Sequence, residues 1–300
     1  MKAIVFGGSG FLGSHVADAL TEAGHHVSIY DLNRSLYLRP GQTMIVGDIL
    51  DEEAVRQAVE GCDVVYNFAG VADIDEAAIK PLDTVRYNIL GNCIIMEAAR
   101  LSGVKRYIFA STVYVYSQSG SFYRCSKVAC ENYIEQYQKQ FCLDYTILRY
   151  GTLYGPRTDM KNSIRRFITQ AITEGKITYP GDGNESREYI HVVDAAQGSV
   201  EILDETFKNQ HIIFTGQQSM KVSDLLSMIK EILNNNIEIE YLRHSPEQCP
   251  NHYKITPYNY TPRMGKKYVK HYYMDLGQGL LQGIEEVHHG IQAQSLVTGP

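Results

Sequence analysis

A glycine-rich segment follows the first apolar run of the chain and opens its first helical pattern. Residues 3–6, AIVF, have the composition of a parallel strand buried on both faces, and residues 12–23 have a helical pattern. Between them, GGSGFLG places Gly7, Gly10 and Gly13 three residues apart. Glycines at such a turn let the backbone approach a pyrophosphate at the helix N-terminus. The segment therefore predicts a dinucleotide-binding loop at the start of an α/β fold.

Apolar runs of strand length then alternate with amphipathic segments of helix length. The further predicted strands are 27–30, 43–46, 64–68, 107–110 and 145–149, and the further predicted helices are 51–60, 82–102 and 123–141. This order predicts an α/β fold with a Rossmann-type, doubly wound parallel sheet and helices on both faces.

The regular alternation ends near Gly155-Pro156, after which shorter segments are rich in Gly, Pro, Asn and Tyr. We expect residues 1–155 to form the Rossmann domain, with 193–215 returning to it. Residues 156–192 and 216–295 would form a smaller C-terminal substrate-binding lobe. Residues 296–300 lack a periodic pattern and predict a disordered tail.

Composition excludes several classes of protein. The net charge of −6 over 300 residues gives no electrostatic support for binding nucleic acid. No apolar run approaches the roughly 20 residues that span a bilayer, and the N-terminus lacks a signal-peptide pattern. The six cysteines show no CxxC pair, and the pair His288-His289 has no carboxylates at metal-ligand spacing. We expect a cytoplasmic protein with free thiols and neither a metal site nor a membrane segment.

A carboxylate at the end of the second predicted strand indicates which dinucleotide is bound. Asp31 lies 18 residues after Gly13. At this position a carboxylate accepts hydrogen bonds from the adenosine ribose hydroxyls and repels a 2′-phosphate. This favours NAD over NADP, although the neighbouring Arg34 could pair with a phosphate.

A tyrosine and a lysine four residues apart form a candidate catalytic pair. On a helix, Tyr123 and Lys127 lie on one face. An ammonium beside a phenol stabilises the phenolate and lowers its pKa, so that Tyr123 could take a proton from a substrate hydroxyl. Ser111 and Thr112 follow the strand 107–110 at the carboxyl end of the sheet, where ligands bind in open α/β folds.

Together these segments resemble the extended short-chain dehydrogenase/reductase family, in its NAD-dependent nucleotide-sugar epimerase/dehydratase branch. The resemblance runs from Gly7 to about Asp194. It consists of the glycine segment and the motifs GDI at 47–49, NFAG at 67–70, STVYVY at 111–116, YRCSK at 123–127, LRYG at 148–151, YGPR at 154–157, GDG at 181–183 and REY at 187–189, with Asn88.

The resemblance implies roles for individual residues. Thr112 matches the catalytic Ser/Thr, Tyr123 the acid/base and Lys127 the residue that also holds the nicotinamide ribose. Asp48 and Ile49 would contact the adenine, Ala69 and Gly70 the pyrophosphate and ribose, and Arg187 the substrate phosphates. The full implied cofactor set is Gly7, Gly10, Phe11, Leu12, Gly13, Asp31, Asp48, Ile49, Ala69, Gly70, Asn88, Tyr123, Lys127 and Tyr150. The implied substrate set is Ser111, Thr152 and Arg187.

Three departures from the family pattern narrow the expected reaction. Where 4,6-dehydratases carry an Asp-Glu pair after the catalytic Ser/Thr, this chain has Val113 and Tyr114, so we do not expect a 4,6-dehydratase. The segment 117–122 is shorter than the loop usual before the catalytic tyrosine. Thr152 stands where many relatives that bind UDP-sugars have Asn.

We therefore expect NAD-dependent oxidation at C4 of a nucleotide-activated hexose or heptose, as in a 4-epimerase. The alternative is a 4-dehydrogenase or keto-sugar reductase that releases its keto sugar, which the short loop and Thr152 favour. A non-catalytic NAD-binding protein is a remote alternative, and Asp31 and Arg187 disfavour an NADPH-dependent reductase of a small ketone. By family analogy we expect a setting in polysaccharide biosynthesis. We also expect a homodimer or tetramer through helices 82–102 and 123–141.

Overall fold

The computed structural model describes residues 1–234, 236–242 and 252–257. The strands of these residues are, in chain order, β1 Lys2–Phe6, β2 His26–Asp31, β3 Gln42–Val46, β4 Val64–Asn67, β5 Arg106–Thr112, β6 Tyr145–Tyr150, β7 Thr152–Tyr154, β8 Lys176–Pro180, β9 Ser186–His191, β10 Gln210–Phe214, β11 Ser219–Lys221 and β12 Glu238–Leu242. Expectations for the later part of the lobe, for His288-His289 and for the tail 296–300 lie outside the described residues.

The helices of the described residues pack against the strands. They are α1 Phe11–Glu22, α2 Glu52–Val59, α3 Ile74–Ile79, α4 Pro81–Asp83, α5 Gly91–Leu101, α6 Ser121–Phe141, α7 Ser163–Glu174, α8 Val192–Glu201 and α9 Val222–Ile232. A π-helical turn, Thr84–Leu90, joins α4 to α5, and 3₁₀ turns cover Val113–Tyr116 and Glu205–Phe207.

Seven strands of the described chain form one parallel sheet in the order β10-β6-β5-β4-β1-β2-β3. The connections run outward in both directions from β1 and β4. One apolar cluster packs α2, α5 and α6 against one face of this sheet, and another packs α1 and α8 against the other face. This confirms the predicted Rossmann-type fold. It also places a crevice at the carboxyl ends of β1 and β4, where such sheets bind ligands.

The predicted single helix over 82–102 is interrupted, which the hydrophobic pattern did not indicate. Its first half is π-helical over Thr84–Leu90. Within this turn the buried Asn88 bonds the backbone of Val71 and the side chain of Ser126. Extra residues per turn are often found at functional sites, and here the wider turn places one amide side chain between the loop at Val71 and helix α6.

A second group of elements carries its own apolar core. Strands β11, β9 and β7 form a three-stranded sheet, and β12 pairs with β8 in parallel. Helices α7 and α9 pack on these strands through Phe167, Ile177 and Leu226. Because β7 directly follows β6, this group begins at the carboxyl edge of the large sheet.

The sequence predicted no membrane segment, no metal site and only free thiols, and the structure bears on these predictions only in the part of the chain that it describes. In that part no helix is long and apolar enough to cross a membrane. The same residues contain no group of three or more potential metal ligands. Five of the six cysteines lie in described segments, and none of these five forms a disulfide.

Candidate active site

The glycine loop turns tightly between β1 and α1. Gly7 has a φ of +73°, a conformation that side chains disfavour, and a Cβ there would lie 2.7 Å from the backbone nitrogen of Ala69. A Cβ on Gly13 would lie 2.2 Å from the carbonyl oxygen of Gly7. Each of these two positions therefore requires glycine, because backbone atoms leave no room for a side chain.

The loop leaves the start of α1 suited to an anionic ligand. Gly10 caps the helix, no side chain of the described residues caps it, and its first turn carries no acidic residue. Phe11 and Leu12 form the first helical turn, whose N–H groups favour a pyrophosphate. This cradle fits the diphosphate of a dinucleotide.

Asp31 ends β2 next to the loop. Its carboxylate accepts hydrogen bonds from the backbone N–H of Ser9, at 3.0 Å, and of Asn33, at 3.1 Å. These bonds fix the carboxylate beside the glycine loop. The placement suits the ribose hydroxyls of NAD and disfavours a 2′-phosphate.

Asp48 and Ile49, which the resemblance implied would contact the adenine, follow β3 in the segment that leads to α2. Asp48 accepts a bond from the Leu50 N–H at 2.9 Å through its side chain, and from Tyr30 at 2.9 Å through its carbonyl. Ile49 is buried, and its side chain packs against Gly91, where a Cβ would come within 2.6 Å. Both residues are therefore held in place within the loop between β3 and α2.

Ala69 and Gly70 follow β4, opposite Gly7, in a turn that Asn88 fixes. Asn88 accepts a bond from the Val71 N–H at 2.7 Å and donates to the Val71 carbonyl at 3.0 Å and to Ser126 at 2.9 Å. Its amide is thus engaged by protein groups. These bonds position the crevice wall at Val71, and the implied contact of Asn88 with the cofactor stays a prediction.

Tyr150 is buried at the end of β6, and its implied contact with the cofactor stays a prediction. Its hydroxyl is hydrogen-bonded to Ser199 at 2.6 Å, and its ring stacks on Phe214 at 5.7 Å. Both contacts are in the apolar cluster between the sheet and α8. The side chain therefore supports the sheet below the crevice.

Helix α6 and the end of β5 bring the predicted catalytic residues together. Tyr123, in the first turn of α6, is half-buried and hydrogen-bonded to Thr112, the last residue of β5. Lys127 is buried one turn later, where its ammonium donates to the carbonyl of Ala110 at 2.7 Å. The same ammonium lies 4.6 Å from the ring centroid of Phe109 and 5.7 Å from that of Tyr123.

The electrostatics of this pair differ from the expectation that Lys127 lowers the pKa of Tyr123. Burial raises the pKa of Tyr123 to about 12, and the hydrogen bond with Thr112 opposes that rise. Burial also lowers the pKa of Lys127 to about 8, against the opposing effects of Cys130 and Glu131. The ammonium is bonded to a backbone carbonyl and faces the ring rather than the hydroxyl, so in this state it does not offset the burial of the phenol.

Ser111 does not reach the substrate side, contrary to the role that the resemblance implied. Its hydroxyl donates to a carboxylate oxygen of Glu131 at 2.5 Å. Glu131 in turn pairs with Arg149, which also bonds Tyr116 and His211. Side chains alternate between the two faces of a strand, so Ser111 and its neighbour Thr112 point in opposite directions.

A cleft of about 2190 Å³ opens at the carboxyl edge of the sheet. Its lining includes Phe11, Thr112 and Tyr123 from the elements around the large sheet, and Thr152 and Arg187 from β7 and β9. Arg187 donates to the carbonyls of Ser186, at 3.0 Å, and Lys254, at 3.3 Å, and its guanidinium lies 4.5 Å from the ring centroid of Tyr253. The cleft therefore contains both the candidate catalytic residues and a cation.

Sequence reasoning missed part of the cleft wall. Tyr114 was noted as a departure from the 4,6-dehydratase pattern and His252 was not expected here, yet both line the cleft. Tyr114 is hydrogen-bonded to Nδ1 of His252 at 2.8 Å across 138 residues of sequence. The segment around His252 carries no periodic or motif signal, so only the folded chain shows this contact.

Comparisons with known proteins agree with this geometry. The family described as "NAD dependent epimerase/dehydratase family" matches residues 3–214. A UDP-N-acetyl-α-D-glucosaminuronate decarboxylase of Bacillus cytotoxicus is 27% identical over 286 residues, with 83% of this chain and 88% of that protein covered. A putative UDP-glucose 4-epimerase of Methanocaldococcus jannaschii is 29% identical over 249 residues, with 76% and 81% covered.

Among solved structures, one similar chain is the UDP-glucuronic acid 4-epimerase of Bacillus cereus, in complex with UDP-glucuronic acid and NAD. It is 26% identical with a TM-score of 0.78, and the likeness covers 88% of this chain and 95% of that one. The family match spans the glycine loop, the Tyr-Lys pair and the strands that position them. The cofactor is NAD, and the chain belongs to the NAD-dependent epimerase/dehydratase family of extended short-chain dehydrogenases/reductases.

Proposed function

We propose that the protein is a nucleotide-sugar 4-epimerase, which oxidises C4 of a nucleotide-activated hexose or heptose and reduces it again from the opposite face. The observation that carries this proposal is the contact between Thr112 and Tyr123 above the buried Lys127, at the floor of the cleft and beside the glycine loop. Hydroxyl, phenol and ammonium in this order suit the removal of a proton from a sugar hydroxyl.

The three residues divide the work of that oxidation. Thr112 orients the substrate oxygen, and Tyr123 takes its proton. Bound NAD supplies the oxidised nicotinamide ring as hydride acceptor. Lys127, as an ammonium with three donors, would favour the ionised form of Tyr123 and would hold the nicotinamide ribose.

The size and charge of the cleft support an extended, anionic substrate. Its volume of about 2190 Å³ exceeds the roughly 300–1,000 Å³ of pockets for small ligands and leaves room for a sugar ring to turn over. Arg187 would bind the diphosphate as a bidentate donor. The relatives named above act on UDP-sugars, so UDP is the first nucleotide to test, although Thr152 stands where many UDP-binding relatives have Asn.

The chain lacks the acidic pair with which a 4,6-dehydratase eliminates water. Val113 is buried, and Tyr114 presents a phenol to the cleft. A 4-dehydrogenase remains the second candidate, because the short segment 117–122 and the wide cleft favour release of the keto sugar. The two candidates differ in whether NADH accumulates.

The test is incubation with UDP-, dTDP- and GDP-sugars, with NMR of the sugar and absorbance of NADH recorded together. We expect a C4-inverted sugar without net NADH, whereas NADH with a released keto sugar would support the dehydrogenase. Tyr123→Phe should lower turnover by about 10²- to 10⁴-fold. Tyr133→Phe is the matched control, because Tyr133 is an exposed phenol on the same helix. Unchanged turnover in Tyr123→Phe would refute the mechanism.

We also propose a homodimer through the segments 82–102 and 123–141. Exposed apolar side chains on these segments include Leu82, Val85, Leu101 and Phe141. Exposed apolar side chains on neighbouring segments are typical of an interface. Sedimentation analysis should give the mass of a dimer, and a monomer at micromolar concentration would contradict the proposal.

A further inference from the structure

We propose that Tyr114, His252 and Asp75 form a second acid–base site, which moves the proton on a carbon adjacent to C4 once C4 is a carbonyl. The proposal rests on the C4 oxidation proposed above. It adds proton exchange or inversion at C3 or C5 to the reactions that this cleft can perform.

The three side chains form a chain of polar contacts. The Tyr114 hydroxyl is hydrogen-bonded to Nδ1 of His252 at 2.8 Å, and Nε2 of His252 lies 3.8 Å from a carboxylate oxygen of Asp75. A hydroxyl, an imidazole and a carboxylate in this order can relay a proton, because the imidazole accepts it and the carboxylate stabilises the resulting cation. Asp75 lies on α3, so three separate segments meet here.

Tyr114 lies in the same part of the cleft as the candidate catalytic residues. It lies two residues after Thr112, and its ring centroid is 6.5 Å from that of Tyr123, edge to face. Tyr114, Tyr123 and His252 all line the cleft. Two phenols this close can contact one sugar ring, one at C4 and the other at a neighbouring carbon.

The Tyr114 ring is held in place from two sides. The ring of Tyr253 packs against it with centroids 4.5 Å apart. On another side, the backbone of Gly120 lies so close that a Cβ there would come within 2.7 Å of the Tyr114 ring. An acid–base group held by packing needs no rearrangement before it reacts.

The protonation states of the resting site suit this role. Burial and the nearby Arg187 lower the pKa of His252, against the opposing effect of Asp75, so the imidazole is neutral and can accept a proton at pH 7. Burial raises the pKa of Tyr114 well above its ordinary value, with Tyr253 adding to the rise. Tyr114 therefore remains a phenol and acts by passing its proton to His252.

The proposed step is balanced without any further reactant. A carbonyl at C4 makes the hydrogens on C3 and C5 acidic. The C–H bond breaks, its electron pair forms the enolate, and the proton goes to the Tyr114 oxygen as the hydroxyl hydrogen moves to Nδ1 of His252. Return of the proton from Tyr114 to the same face gives exchange, and its return after the sugar ring has turned over gives inversion, with no net oxidation or reduction.

The experiment supplies a UDP-4-keto-hexose directly to the holoenzyme in D₂O and follows deuterium at C3 and C5 by NMR, with a protein-free control. We expect the wild-type protein to accelerate exchange at one of these carbons. Tyr114→Phe and His252→Gln should each slow it by at least tenfold. His26→Gln is the control, because His26 is exposed at the opposite, amino end of β2. Far-UV circular dichroism and NAD binding establish that each variant is folded.

Each outcome distinguishes this proposal from the proposed function. Absence of accelerated exchange, or equal exchange in the two variants and the wild type, overturns the second site. If the same preparation also inverts C4 of the parent sugar, the proposed function stands. If the keto sugar exchanges but no parent sugar in the panel is oxidised, the second site stands and the proposed function fails. Loss of water would support the proton transfer and contradict the exclusion of a dehydratase.

Discussion

Replacing Arg149 by methionine should destabilise the fold strongly, because it leaves a carboxylate buried without its cation. Arg149 donates to both oxygens of Glu131, at 2.6 Å and 3.0 Å, and the two side chains are only 14% and 8% exposed. Breaking a buried ion pair by removing one partner costs about 3–5 kcal/mol. That loss is a large part of the ~5–15 kcal/mol by which a domain is usually stable.

The assay is urea unfolding of wild type and Arg149→Met at pH 7, followed by circular dichroism. Arg56→Met is the matched control, because Arg56 pairs with Glu53 at 2.7 Å on the surface. Exposed pairs contribute about 0–1 kcal/mol, so the control should unfold almost like the wild type. A loss of unfolding free energy below about 1 kcal/mol in Arg149→Met would refute the reasoning that the mutation leaves a buried carboxylate without its cation.

The Arg149–Glu131 pair also predicts how the difference in unfolding free energy between wild type and Arg149→Met depends on pH. Burial would raise the pKa of the Glu131 carboxyl, but bonds from His211 and Arg149 hold it below its usual value. A carboxyl with a lowered pKa stabilises the fold above the unfolded-state pKa of about 4.3, and this contribution is lost as the pH falls through the folded-state pKa. The difference between wild type and Arg149→Met should therefore shrink as the pH falls below about 4.

Three further predictions concern the cofactor loop and the catalytic residues. Gly13→Ala should abolish NAD binding, measured by calorimetry, since its Cβ would lie 2.2 Å from the Gly7 carbonyl oxygen; retained affinity would show that the loop can move. Because the pKa of Lys127 is lowered to about 8, the stability of wild type relative to Lys127→Met should rise, by on the order of 3 kcal/mol, between pH 8 and the unfolded-state pKa of about 10.4. In this window the unfolded chain holds the proton that the folded chain has lost, and a flat difference in unfolding free energy would contradict the burial of this amine. Thr112→Val removes the hydrogen bond that opposes the rise in the Tyr123 pKa, and should lower kcat about tenfold, as expected for one lost hydrogen bond; an unchanged kcat would exclude Thr112 from the reaction.

Local sequence patterns predicted the parts of the site that are themselves local. Gly7, Gly10 and Gly13 determine one turn, and the spacing of Tyr123 and Lys127 determines one face of α6. The alternation of apolar runs likewise predicted the parallel sheet, since strands buried on both faces are continuously apolar.

Features that depend on contacts between distant segments were not predictable in this way. Whether Ser111 faces substrate or Glu131 depends on strand orientation and on a buried charge network. The π-helical turn over Thr84–Leu90 depends on what Asn88 bonds, and Tyr114 meets His252 across 138 residues. The pKa of Tyr123 is dominated by burial, which the spacing to Lys127 does not reveal.

The central claim is that C4 is oxidised and then reduced from the other face within one cleft. The most direct measurement uses a UDP-hexose deuterated at C4 and follows the label by NMR and mass spectrometry. We expect a C4-inverted sugar that retains the deuterium at C4, with no labelled NADH released and no conversion by Tyr123→Phe. Deuterium found in free NADH, or loss of the label to solvent during inversion, would contradict this account.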